Sequence, residues 1–166
     1  MLRIRDKSWL LVLVSAALQV LSFPLPGLYF LSWIAFAPLL VAIVHGRYPD
    51  TLQLDESQKL LPAGPAQGFL LGYFCGVLWY LGTCYWVYDT MHQYGGLSIP
   101  VALLVLILFA LYLGLYHGCF GLIFSLLAKR DSSQRIALVA APFLWVAIEL
   151  ARTRISGFPW NLLGVT

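Results

Sequence analysis

An all-α membrane bundle is the fold class that this sequence predicts: a polytopic protein of about five transmembrane helices, with its amino terminus in the cytoplasm. Three observations predict it. The 166-residue chain is 61% hydrophobic and only 10% charged, whereas a soluble domain needs about a quarter of its residues charged to cover its surface. Apolar runs near or above twenty residues recur along the chain, the length a bilayer demands. Their periods are helical or unresolvable, never strictly alternating, which disfavours a transmembrane barrel.

Five apolar segments follow in order, at about 9–23, 28–44, 68–88, 99–128 and 136–151. At ~1.5 Å rise per residue, the third and fourth cross a hydrocarbon core of ~30 Å with ease. The other three are shorter and must thin the bilayer or sit at its edge. The first has the basic start and apolar middle of a signal peptide. No good small-x-small cleavage site precedes FPLPG, however, and a second apolar segment follows at once. The stretch 45–67, HGRYPDTLQLDESQKLLPAGPAQ, reads as a Pro-rich linker of mixed charge without chemistry.

Lys and Arg set the orientation. Arg3, Arg5 and Lys7, then Arg47 and Lys59, then Lys129, Arg130 and Arg135 all fall on one side, expected to be cytoplasmic. The loop at 89–97 carries neither Lys nor Arg and is expected to be extracytoplasmic, together with 152–166. Arg152 and Arg154 break the charge rule there. The net charge of +3 is small and no basic patch interleaves with aromatics, so nucleic acid is not an expected partner.

Several constellations invite a role. Gly68, Gly72 and Gly76 stand four apart, and Gly114 and Gly118 repeat the spacing, a signal for close helix packing or for a lipid-tail groove. Trp79, Tyr80, Tyr85, Trp86 and Tyr88 crowd one segment end and read as an interfacial belt, or as a rim that holds lipid. Trp145 and Glu149 are one helical turn apart, and Arg152 follows three residues later on the same face. A carboxylate near the membrane usually has a partner and a reason. Either Glu149 and Arg152 satisfy each other, or Arg152 or Arg154 takes an anionic phospholipid phosphate. Gly157 and Pro159 then end the helix and re-aim the chain, presenting Trp160 at the outer interface.

Other polar residues carry weaker signals. His117 is expected to bond a neighbouring helix rather than to act as a base. Asp89 and His92 lack a third ligand nearby, so no metal site is expected. Cys75, Cys84 and Cys119 all fall in apolar runs and read as packed thiols rather than a disulfide framework. No Ser-His-Asp set, phosphate loop, HExxH or paired-Cys motif is present, and no cofactor is implied.

Four stretches, in order, carry a family resemblance: FPLPGLYFLSWIAFAPLL; GFLLGYFCGVLWYLGTCYWVY with the following YGGLSIP; ALYLGLYHGCFGL; and APFLWVAIELARTRISGFPWNLLGVT. The chain resembles the amino-terminal membrane part of the apolipoprotein N-acyltransferases over its whole length. The GFPW with its upstream W-x-x-x-E-x-x-R is the most specific of these motifs.

The resemblance implies an acyltransferase of the bacterial inner membrane, with its active face extracytoplasmic. Further helices and a nitrilase-type domain with a Glu-Lys-Cys set would follow. That cysteine takes an acyl chain from a phospholipid as a thioester and passes it to the amino group of a diacylglyceryl-cysteine on an apolipoprotein. The implied partners are thus a phospholipid donor, a diacylglyceryl-apolipoprotein acceptor and the missing carboxy-terminal domain. SGFPWNLLGVT is expected to be a mid-protein motif and this chain an amino-terminal fragment, inactive alone, without catalytic residues of its own.

Matched residue by residue, the resemblance assigns lipid access to Gly157, Phe158, Pro159 and Trp160, with Glu149 and Arg152 as the charged pair before them. Trp86, Tyr88, Gly95 and Gly96 would shape the outer face. Asp89 and His117 depart from the family pattern. The rival readings are a stand-alone membrane module that partners a separate lipid-modifying enzyme, and a small transporter. Against the transporter stand the absence of inverted repeats and of paired charges in the first four segments.

Overall fold

Residues 4–23, 28–47, 61–130 and 134–158 are described by the structure, a computed structural model. Helix α1 (Asp6–Ser22) starts after the extended Arg5, with Asp6 in its first turn, and stops at the extended Phe23. Acid at that position complements the helix dipole. The stretch expected as one helix over 28–44 is a 3-10 turn (Tyr29–Leu31) and two short helices, α2 (Ser32–Ala35) and α3 (Ala37–Val44), with Pro38 in the first turn of α3. Proline is tolerated there because a first-turn N–H has no intrahelical partner.

Helix α4 (Pro65–Thr83) also begins on a proline. The Gly64 N–H donates to the Gln67 side chain at 2.7 Å, closing the first turn. The third apolar segment does not run straight to 88. At Cys84 the chain bends by 53° and resumes as α5 (Tyr85–Asp89), which passes into a π-helical turn (Thr90–Tyr94). Thr83 donates its hydroxyl to the Trp79 carbonyl at 2.9 Å, beside the break. Ser and Thr back-bonds of this kind often bend helices.

Helix α6 (Ile99–Arg130) has 32 residues, roughly 48 Å at the ideal rise. Helix α7 (Arg135–Ser156) begins after left-handed Gln134 and ends on left-handed Gly157. By length and composition α6 and α7 can each cross a membrane, and the bent α4–α5 pair adds a third if the two helices form one broken span rather than a re-entrant loop. Helix α1, at 17 residues, and the Ser32–Val44 stretch are shorter. The fold is all-α. Among the described residues, extended pairing is confined to isolated bridges joining Ile4, Arg47 and Leu61.

Helix α4 is the axis of the bundle. Its Gly68 and Gly72 meet Gly121 and the His117 carbonyl of α6, backbone on backbone. Gly121, which the sequence reading does not single out, is the true counterpart. Gly114 and Gly118 instead make room for Val77 and the Phe69 ring. Helix α1 lies parallel to α4, with Val20 against Gly82 and Trp9 edge-on to Phe74 at 5.2 Å. Helix α7 runs antiparallel to α6 and brings Trp145 to Phe120.

The surface is apolar and the interior partly polar. Trp33 is 87% exposed, and Val139, Phe143 and Ile155 each exceed two thirds, while Ser15, Gln19, His117, Ser125 and Arg152 are buried. That inversion suits a chain whose solvent is lipid. Helix directions place Arg5, Arg47, Lys129, Arg130 and Arg135 at one end and Arg152 and Arg154 at the other.

Candidate lipid-facing site

The aromatic crowd at the end of the third segment divides in two. Trp79 and Tyr80 are fully buried, whereas Tyr85 and Trp86 stay exposed and Tyr88 is half-buried. An interfacial belt therefore describes only the residues beyond the bend. The bend is what separates them: Trp79 and Tyr80 sit on α4 facing the bundle, and Trp86 and Tyr88 are re-aimed on α5.

Helix α7 brings the second half of the site. Arg152 is 1% exposed. Its guanidinium carbon lies 5.8 Å from the centre of the Tyr80 ring and 5.9 Å from that of Phe158. A cation held against two ring faces is stabilised by their quadrupoles, by ~2 kcal/mol or more when desolvated. Phe158 in turn lies parallel to Trp86 at 6.5 Å and edge-on to Phe109 at 5.0 Å. The turn that delivers Phe158 is made by Gly157 at φ 65° and by the Ser156 hydroxyl, which accepts from the Phe158 N–H at 3.2 Å.

Four expected residues, Arg152, Gly157, Phe158 and Trp86, thus come together. Glu149 is half-buried one turn before Arg152. Tyr88 stands apart, stacked on His92 at 5.8 Å. His92 donates from Nδ1 to the Leu97 carbonyl at 2.8 Å, which accounts for it as a loop brace. Pro159 and Trp160 lie outside the described residues. No group of three metal-ligating side chains occurs among the described residues.

Beneath this end lies a polar centre of which the sequence foretold one part, that His117 bonds a neighbouring helix. Ser15 donates to the Ala35 carbonyl at 2.6 Å. Its one proton is thereby used, so its oxygen accepts from Gln19 Nε2 at 3.1 Å. Gln19 Nε2 also reaches Cys75 Sγ at 3.3 Å. The Gln19 oxygen then faces His117 and accepts from its Nε2 at 3.3 Å. The chain of donors fixes the proton of His117 on Nε2.

Around His117 stand Trp145 at 4.6 Å, Trp79 at 4.9 Å, Tyr80 at 5.6 Å and Phe36 at 5.9 Å between ring centres. The signal was present in the sequence. Ser8, Ser15, Gln19 and Ser22 punctuate the first apolar run at spacings of seven, four and three, one helix face, and all four are buried. Cys75 and Cys84 are buried as expected of packed thiols, while Cys119 faces outward.

The family model described as "Apolipoprotein N-acyltransferase N-terminal domain" matches residues 15–166. The chain is similar to the apolipoprotein N-acyltransferase of Geobacter metallireducens, with 35% identity over 96% of this chain and 27% of that protein. The same-named protein of Shewanella oneidensis is 33% identical over 79% of this chain and 25% of its own length. That of Coxiella burnetii is 33% identical over 63% and 22%. The chain spans about a quarter of the length of the curated relatives it matches.

Proposed function

This chain belongs to the apolipoprotein N-acyltransferase N-terminal domain family, and on that premise we propose that it is the lipid-access and anchoring portion of a lipoprotein N-acyltransferase. The reaction moves an acyl chain from a phospholipid to the amino group of a diacylglyceryl-cysteine on an apolipoprotein. In this reading the thiol chemistry belongs to a nitrilase-type domain outside residues 1–166, and these helices alone are inactive. The protein sits in the bacterial inner membrane, with its Arg152 end extracytoplasmic.

The observation that carries the reading is the buried Arg152 guanidinium, clamped by Tyr80 and Phe158 at the end where Trp86 is exposed. A fixed cation behind an aromatic rim suits a group that is anionic at its head and apolar below it. Phe158 and Trp86 form the rim that an acyl chain passes, Glu149 balances charge one turn away, and Gly157 makes the turn that precedes Pro159 and Trp160, to which the family resemblance assigns lipid access. Tyr88 braces the adjoining loop.

The test is photo-crosslinking of the full-length protein by a phospholipid with a diazirine in its acyl chain. Adducts on 86 and 152–160, lost when Trp160 is replaced by alanine, are expected. Adducts spread evenly over the exposed faces of α6 and α7 would contradict the reading. Trp160→Ala should also slow acyl transfer without abolishing membrane insertion, and unchanged turnover would remove its assigned role.

A further inference from the structure

Two tyrosines on α6 carry polar atoms that helix packing does not explain. Tyr112 and Tyr116 stand one turn apart, with their hydroxyls 3.4 Å from each other. Tyr112 is 45% exposed and Tyr116 is half-buried. Leu108, Leu111 and Leu115 beside them are exposed too, so a pair of hydroxyls is set into a surface otherwise suited to hydrocarbon.

Their height is fixed by the basic end. Tyr112 is 17 residues from Lys129, and Arg152 is 17 residues from Arg135 on the antiparallel α7, about 25 Å along either axis. Lys129 and Arg135 lie at the same end of the bundle. With those charges at one boundary of a hydrocarbon core ~30 Å thick, Tyr112 and Arg152 fall just inside the other boundary, and Tyr116 one turn deeper. An interfacial tyrosine keeps its hydroxyl end wet. This pair instead sits a turn or more below the contact of Phe109 with Phe158.

Side chains lean toward the N-terminus of their helix. That tips Tyr116 outward along α6 and Arg152 inward along α7, so the two converge. Arg152 is accordingly among the charges that act on Tyr116, as it is on Tyr80. A cation favours the hydroxyl that turns its oxygen toward the charge and its proton away. Tyr116 then gives its proton to Tyr112, and the Tyr112 proton is left for an acceptor on the open side of α6.

Depth and charge select that acceptor. Acyl tails have none. Lipid phosphates lie in the headgroup layer outside the core, and Arg152 is sealed from them by burial. The ester that joins an acyl chain to glycerol sits at this depth, is uncharged and offers only lone pairs. We propose that the Tyr112 hydroxyl binds the acyl-ester carbonyl of a membrane glycerolipid on the open face of α6, with Tyr116 and Arg152 orienting its proton. The proposal rests on the lipid-access reading for the side from which lipid arrives, and it names the ester as the group recognised there.

The test is native mass spectrometry of the full-length protein equilibrated with equal amounts of two phosphatidylethanolamines, whose identical chains are joined by ester or by ether links. Ether lipid has no carbonyl. The parent should retain the ester form noncovalently by about threefold to tenfold over the ether form, the worth of one hydrogen bond. Tyr112→Phe should bring the ratio to near one. Tyr116→Phe, which keeps the donor but not its orientation, should lower it less. Tyr94→Phe, at an exposed ring in the outer loop, should leave it unchanged. Equal retention by the parent, a preference that survives Tyr112→Phe, or the same loss in Tyr94→Phe overturns the proposal. A larger drop for Tyr116→Phe than for Tyr112→Phe overturns the order of donors. Because this ratio is read without turnover, its loss in a Tyr112→Phe protein whose acyl transfer is unchanged would uphold the binding site while removing its part in lipid access.

Discussion

The seam between α4 and α6 has two halves, built from opposite materials. Toward the basic end, Gly68, Gly72 and Gly121 bring the two backbones together, with only the small Ser125 side chain beside Gly68, and dispersion and close approach hold the pair. Past Gly76 the same seam is filled by Trp79, Tyr80 and His117, backed by Trp145, with four polar atoms unpaired. One half gains stability from having nothing to satisfy. The other carries polar groups, each costing about 1–3 kcal/mol when left unpaired in an apolar setting, and lies directly below the buried Arg152.

Breaking the close-packed half should have the largest effect. Gly72→Ala places a methyl group against the His117 carbonyl and the Gly121 backbone, neither of which can rotate away. We expect a loss of about 3 kcal/mol, as for severe overpacking, read as a lower midpoint of thermal unfolding in detergent. Gly118→Ala meets only the Phe69 ring, a side chain free to shift, and should cost clearly less. Equal losses at the two positions would show that backbone approach is not what the stripe provides.

Next in size is Gln19→Leu. It removes the acceptor of His117 Nε2 and the donor to Ser15 and Cys75 together. The orphaned imidazole N–H should lower stability by about 2 kcal/mol, whereas Gln19→Glu keeps an acceptor for His117 and should cost a different amount. A neutral Gln19→Leu would mean that the polar centre does not tie α1 to α6. The smallest effect belongs to Gly157→Ala. Open space surrounds the position, so only the left-handed backbone at φ 65° opposes the change. A cost of roughly 1 kcal/mol is expected, confined to the turn that presents Phe158, with α7 itself intact by circular dichroism.

Much of this was legible in the sequence, and the rest was hidden for physical reasons. The long apolar run of α6 and the cap and charges around α7 are local signals and survive folding unchanged. The bend at Cys84 is not written in WYLGTCYWVY by any proline; it depends on Thr83 back-bonding and on what packs around it. The short helices at 32–44 were marked by Pro38, a helix-start signal inside what otherwise reads as one apolar run. Trp79 and Tyr80 resembled interfacial aromatics because composition cannot tell which side of a helix is lipid. The stripe Gly68–Gly72–Gly76 continues at helical spacing onto Trp79 and Thr83, and that continuity places them inside. The meeting of Arg152 with Tyr80, and of Phe158 with Trp86, joins residues some seventy positions apart, which periodicity within one segment does not reveal.

The most direct test of the account is the steady-state rate of acyl transfer to a diacylglyceryl peptide by the full-length protein in proteoliposomes, with Phe158→Ala compared against Leu150→Ala, a side chain exposed on α7. If the Arg152–Phe158–Trp86 rim admits lipid, Phe158→Ala raises KM for phospholipid while membrane insertion stays that of the parent, and Leu150→Ala changes neither KM nor kcat. Equal kinetics for the two variants and the parent would contradict a role for this end of the bundle in lipid access.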